Sequence, residues 1–327
     1  MQPVVAPLEP GLTAPDLRLP NVQTAPLVIS SPHSGRLYPA CFLAASRLSL
    51  ADLRRSEDAY VDIMVAAAPS LGLPLLAARL ARAFIDLNRE PFELDPAMFA
   101  DVLPGSVNVR SARVAAGLGT IARCAGDGME IYKRKLGLAE IMDRITSYYY
   151  PYHRALGRLI HRTRDSFGQC VVLDCHSMPS QRRAAAAGGR TRPGTGALRG
   201  GRSRQAGLWP PTGSGADIVL GTRYGRSCDP ALAALVGDYF ENRGYRVAHN
   251  QPYAGGHITA RHGQPATGVH ALQIEINRAL YMDEATLRPR PALATLTADM
   301  TGLMHAVAAL APRLASGRFA TPLLAAE

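Results

Sequence analysis

The sequence predicts an α/β protein. Short β-rich apolar runs alternate with longer stretches of helical periodicity, and the β-rich runs end in polar, chemically capable residues. APLVISSPHSG (residues 25–35) reads as a buried strand closing in a Pro/Ser/Gly turn, and a helix is expected from Asp58 to about Ala68. RAFIDLNR (82–89) reads as a second short strand, and 93–126 as a loop. A long helix is expected over about 128–165, broken near Pro151, because proline disfavours helix in the residue before it. QCVVLDCHS (169–177) and HALQIEINR (270–278) repeat the strand pattern; 217–222 and 245–250 repeat it more weakly. Helices are expected over 230–243 and about 284–311. With no internal repeat and no dividing linker, the 327 residues read as one domain.

Composition narrows the class. A hydrophobic fraction of 47% with 19% charged residues is that of a folding globular chain. The proline-rich start lacks the basic and apolar regions of a signal sequence, and no uninterrupted apolar run approaches the ~20 residues that span a bilayer. Five cysteines without CxxC spacing argue against a disulfide framework and point to the cytoplasm. The net charge of +10 invites a nucleic-acid reading, but seven arginines of an Arg/Gly/Ala-rich stretch (181–215, a mobile insertion by composition) supply most of it, leaving +3 elsewhere. Nucleic acid is therefore not the expected partner.

In open α/β sheets ligands bind beyond the carboxyl ends of the strands, and four runs here end in His33, in Asn88 with Arg89, in His176, and in Glu275 with Arg278. A lone histidine is more often structural. Two, each after a buried strand and before a serine-containing turn, suggest a metal site that still needs a carboxylate. Asp58 and Glu57 are the candidates, although charge at a helix N-terminus accounts for either one from the residues alone. Asp174, two residues before His176 on the same strand face, suits a supporting carboxylate, and Asp86 is similarly placed; a buried salt bridge explains each equally. Glu275, flanked by isoleucines, is the leading general base, the alternative being an ion pair with Arg278 or Arg89. Arg82, Arg89, Arg223 and Arg278 would suit a small dianion. The glycine-rich pieces 117–120 and 252–263 match no phosphate-cradling pattern; the second carries His257 and His262 and reads as an active-site loop or a plain turn. Cys175 could be read as a nucleophile, but its apolar run favours a small core residue.

Seven pieces in order, SPHSGRLYP (31–39), EDAYVD (57–62), FIDLNREP (84–91), LDCHSMPS (173–180), VLGTRYGRSC (219–228), PYAGGHITARHG (252–263) and IEINRALYMDE (274–284), resemble the N-formylglutamate amidohydrolase family. DLNR is also similar to the substrate-binding motif of aspartoacylase and the zinc carboxypeptidases. The resemblance implies a three-layer α/β sandwich with a mixed sheet, phosphorylase/hydrolase-like and zinc carboxypeptidase-like, binding one zinc ion. It implies His33 and His176 as ligands. The relatives' HxxE glutamate is replaced by Arg36, so the acidic ligand falls to Asp58 rather than Glu57. By the same comparison Glu275 is the general base, Arg82 lies near the scissile carbonyl, and Asn88 with Arg89 clamps the α-carboxylate. Arg223 and Arg278 then suit the side-chain carboxylate, and His257 counts among the substrate contacts although a tyrosine is expected in that region. The implied reaction is hydrolysis of N-formyl-L-glutamate to formate and glutamate, as in histidine degradation. Two alternatives remain open: a zinc deacylase or amidase for another acyl group, and a non-catalytic anion- or RNA-binding protein using the basic insertion.

Overall fold

The two strongest β-rich runs form the centre of a seven-stranded mixed sheet. The computed structural model describes residues 2–6, 14–125, 128–180 and 215–314, so the insertion expected at 181–215 lies almost wholly outside the described residues. The strands are β1 (Asp16–Arg18), β2 (Leu27–Ser31), β3 (Leu75–Ala77), β4 (Cys170–Met178), β5 (Ile218–Gly221), β6 (Val247–His249) and β7 (Val269–Asn277). Their spatial order is β6-β5-β7-β4-β2-β3-β1. Pairing is parallel throughout except at β5 with β7 and β1 with β3. β4 and β7 are buried along all nine residues, as befits near-continuous apolar strands covered on both faces.

Alternation sorts the side chains into two cores. Ile29, Leu173, Cys175, Leu272 and Ile274 pack with Leu296, Met300, Leu303 and Val307 of the helix Ala292–Leu314. On the opposite face Val28, Val172 and Ala271 pack with Tyr152, Leu156 and Leu159 of the helix Tyr150–Phe167. Beyond Val172 and Ala271 this second face turns polar, through Asp174 to His176 on β4 and through Gln273 to Glu275 on β7. Burial of these groups is what makes the strand ends a site rather than more core.

Several expected elements differ. Residues 82–89 form successive turns, and the strand next to β2 is β3 instead. The backbone of this run is satisfied by side chains rather than a ladder: the Phe84, Leu87 and Arg89 carbonyls accept from Arg144, His153 and Tyr149. The helix expected from Asp58 is only Val61–Met64, because Tyr60 takes a left-handed conformation and the Asp58 N–H donates to the His33 carbonyl. Residues 128–136 are not helical; helix starts at Leu138 and runs through a π-turn (Ile145–Tyr149) into Tyr150–Phe167. The chain thus passes Pro151 without a break, the π-turn directly before it accommodating the proline ring where a regular α-helical turn would clash. The last helix starts at Ala292, after a small hairpin of Met282–Asp283 with Arg288–Pro289. By length and mean composition that helix could cross a membrane, although Asp299 and His305 interrupt its apolar run. Its larger apolar side chains recur at helical spacing and enter the core.

Candidate active site

Three side chains from separate parts of the chain meet where β2 and β4 end. His33 lies in the turn after β2, which presses so closely on residues 79–80 that a Cβ on Gly35 would fall on the Leu80 carbonyl. His176 stands near the end of β4, and Asp58 precedes the Val61–Met64 turn of helix. The Asp58 Oδ2 atom is 3.0 Å from His176 Nδ1 and 3.4 Å from His33 Nδ1, and one ligand atom from each residue falls within 4.8 Å of the others. All three side chains are buried. Glu57, the other candidate acid, is turned away: it accepts from Tyr38 at 2.8 Å and pairs with Arg54 at 3.1 Å. Arg36, three residues after His33, pairs with Asp62 at 2.9 Å.

The outer nitrogen of each imidazole is held by a carboxylate. His33 Nε2 lies 2.7 Å from Asp86, and His176 Nε2 lies 3.0 Å from Asp174. With the protons on Nε2, both Nδ1 atoms turn lone pairs toward Asp58. His33 Nδ1 is buried and makes no hydrogen bond, an orphaned acceptor where a cation would bind. Ligand atoms of a tetrahedral zinc at ~2.0–2.1 Å stand about 3.3 Å apart, and the two separations from Asp58, 3.0 and 3.4 Å, are close to that. Two imidazoles, one carboxylate and carboxylates behind the imidazoles therefore fit a catalytic zinc.

Electrostatics agree with a cation-seeking cluster. Burial pushes the Asp58 carboxyl up, but the His176 hydrogen bond and the charges of His33 and Arg278 outweigh it and hold the group well below the usual carboxylate range. Burial pushes His176 down, but Asp174, Asp58 and Glu275 outweigh it, so the metal-free imidazole holds its proton well above the ordinary range. Asp86 is likewise held low against burial by Arg89, His33 and Arg82. A cation at Asp58 would take the place of that proton.

Glu275 is the register partner of His176 across β4 and β7, so their side chains lie side by side on one face. Burial raises its carboxyl to about 7, opposed by His176 and supported by Asp58. Gln273, two residues back on the same face, donates to it at 2.7 Å. Arg82 donates through Nε to Asp86, its Nη1 is 3.9 Å from Asp58, and its Nη groups make no hydrogen bond among the described residues. Tyr253 is partly buried and feels Glu275, Arg278 and Arg82.

The remaining expected residues divide. Asn88 is spent internally: its Oδ1 accepts from the Ile258 N–H at 2.8 Å and its Nδ2 donates to Asp174 at 3.2 Å. Arg89 donates to the Leu118 and Asn88 carbonyls and approaches Asp86. Arg278, expected at a substrate carboxylate, is buried and bonded to Asp58 (2.9 Å), Ser177 and the Arg55 carbonyl. Arg223 is half-buried, and its guanidinium makes no hydrogen bond or ion pair among the described residues. His257 starts the helix His257–His262 behind Asn88 and is edge-on to His153. Burial and Arg261 lower His257 to about 4, and burial with Arg261 lowers His262 to about 4, so both are neutral. Cys175 points to the opposite core, and burial raises its thiol far above ordinary, which removes the nucleophile reading. Sequence reading missed Gln273 and Tyr253. Gln273 was reachable through its two-residue spacing from Glu275; Tyr253 lies in a loop without periodicity.

The profile of the N-formylglutamate amidohydrolase family matches residues 25–282, a span that contains every site residue described above. The chain belongs to this family. N-formylglutamate deformylases of Pseudomonas aeruginosa and Pseudomonas putida are 31% and 32% identical to it, over 79% of this chain and 83% and 82% of theirs. The crystal structure of an N-formylglutamate amidohydrolase from Ralstonia eutropha superimposes with a TM-score of 0.79 at 36% identity, covering 92% of this chain and 99% of that one. A gene product of Agrobacterium tumefaciens, 17% identical, shares the fold at a TM-score of 0.54 over 90% of this chain and 96% of its own. Membership of the N-formylglutamate amidohydrolase family thus rests on sequence and on the mixed α/β architecture together.

Proposed function

We propose that the protein is a zinc-dependent N-formyl-L-glutamate deformylase. The observation that carries this reading is the convergence of His33 Nδ1, His176 Nδ1 and Asp58 Oδ2 beside the buried Glu275. A zinc ion held by these three residues would supply Lewis acidity toward the formyl oxygen and would acidify the attacking water.

The chain's own groups do the rest. Glu275, raised to about 7 by burial, accepts a proton from the attacking water and returns it to the leaving nitrogen, so that formate and the free amino acid are released. Arg82, with its Nη groups uncommitted, stabilises the developing oxyanion. Gln273 fixes the Glu275 carboxylate, and Arg278 fixes Asp58. Arg89 and Arg223 remain as substrate contacts, Arg89 at the α-carboxylate, with Asn88 and His257 shaping its turn from behind. The kinship with zinc carboxypeptidase folds, a cytoplasmic setting and a role in histidine degradation belong to the same reading.

The test is formate release from a panel of N-formyl, N-acetyl and N-succinyl glutamate and aspartate, with metal analysis of the same preparation. Stoichiometric zinc and selective turnover of N-formylglutamate are expected. Full activity after exhaustive chelation, or turnover confined to another acyl group, overturns the proposal.

A further inference from the structure

The burial of Arg278 at Asp58 leaves a dicarboxylate substrate without one of its expected grips, and the structure offers a replacement. We propose that Arg113, absent from every motif above, holds the distal carboxylate of the substrate and so sets specificity for acidic N-acyl amino acids. This rests on the deformylase reading.

Arg113 belongs to the short helix Ala112–Ala115, in the region whose sequence reads as a loop. Its Nη2 reaches to the Gly255 carbonyl at 3.4 Å, a long contact to a neutral acceptor that leaves most of the guanidinium donors unspent. Gly255 has φ +123°, and Arg223 approaches it from another side: a Cβ on Gly255 would lie 2.9 Å from Arg223 Cγ. Arg113 and Arg223 therefore flank one turn. That turn abuts the site directly, since a Cβ on Gly256 would overlap the Asn88 amide and the His257 N–H donates to the Asn88 carbonyl.

The charges around this turn are unbalanced. The carboxylates of the neighbouring segment are engaged elsewhere, Glu90 with Asn108 and Glu93 with Ser111, and Arg113 makes no ion pair among the described residues. Arg89 is pushed down by burial and, despite Asp86, by the charges of Arg82 and Arg113. Arginines gathered at a half-buried turn, with Arg113 and Arg223 in no ion pair among the described residues, favour an incoming anion. Arg113 meets the turn at Gly255, and Asn88, next to Arg89 in the chain, meets it at Gly256 and His257, so the two carboxylates of one small diacid can be received at separate guanidinium groups.

The experiment compares wild-type, Arg113→Ala and Arg113→Lys proteins, all metal-loaded and with matched circular dichroism. L-glutamate and L-glutamine binding is measured by calorimetry, and kcat/KM by formate release from their N-formyl derivatives. Wild type is expected to prefer the diacid in both readouts. Arg113→Ala should lose about 10–100-fold on glutamate while glutamine changes by less than about threefold. Arg113→Lys should recover part of the preference. Equal losses on both ligands, or an unchanged preference, overturn the proposal. A wild type that turns over no N-formyl amino acid sinks the deformylase reading, whereas the calorimetric comparison still decides whether Arg113 selects the diacid.

Discussion

Replacing Arg278 with methionine separates the two roles a strand-end arginine can have, gripping substrate or holding a ligand. The guanidinium is buried and donates to Asp58 at 2.9 Å, to Ser177 at 3.0 Å and to the Arg55 carbonyl at 2.9 Å. Removing one partner of a buried ion pair costs about 3–5 kcal/mol, because the remaining carboxylate stays buried without its counter-charge. At an unfolding entropy of about 2.1 cal/mol/K per residue, a domain of this size loses roughly 4–7 °C in Tm. Arg278 is also among the charges that hold Asp58 low, so its loss raises the Asp58 carboxyl and lets protons compete better with a metal. Zinc affinity should fall about 10–100-fold, the usual effect of removing a residue that orients a ligand, and the loss should grow as pH falls. The assay is competition against a chromophoric chelator at several pH values, with thermal melts of the apo and loaded forms. Unchanged zinc affinity, together with a KM rise specific to N-formylglutamate over N-formylglutamine, refutes the reasoning and restores Arg278 as a substrate contact.

Other outcomes follow from the same geometry. Glu275→Gln should lower kcat by about 10²–10⁴-fold and abolish the acid limb of the pH profile. Because burial raises the Glu275 carboxyl to about 7, activity depends on its deprotonated form and should climb as pH rises toward that value, with the limb displaced to lower pH in zinc-loaded enzyme; a pH series of kcat/KM checks this. Zinc added to chelator-stripped protein near neutral pH should release protons, measured with an indicator dye in weak buffer, since His176 holds its proton well above the ordinary range until the cation replaces it. Cys175→Ala should keep kcat within about twofold and cost about 1–2 kcal/mol in urea unfolding, as expected for a side chain facing the core opposite the site.

The strands that carry the site were legible because their patterns were long. β4 and β7 each run nine buried residues, and polar residues at two-residue spacing near their ends put Asp174 with His176, and Gln273 with Glu275, on one face. The run 82–89 misled because its apolar residues are buried by a helix rather than by sheet neighbours. What supplies its backbone partners is Arg144, Tyr149 and His153, some 60 residues away, and no local pattern reports that. The choice between Asp58 and Glu57 was undecidable from adjacent positions, and became plain once Tyr38 and Arg54 occupied Glu57. For the arginines, sequence reports a charge at a strand end but not its partner, so Arg278 read as a substrate contact or a partner of Glu275, and its bond to Asp58 was not foreseen.

Asp174 has a consequence larger than its place behind one imidazole. A single one of its oxygens, Oδ2, receives both His176 Nε2 and the Asn88 amide, while Oδ1 accepts from Ser30 on the adjoining strand. The Asn88 amide in turn anchors the Ile258 N–H, and through it the turn flanked by Arg113 and Arg223. The metal cradle and the substrate turn therefore hang from one carboxylate like two pans from one beam. His176 and Asn88 share one acceptor, so a shift of either side chain reaches the other within two hydrogen bonds, and the turn held by Asn88 lies on the same path. Whatever draws on one of the two is passed to the other through the same Asp174 oxygen.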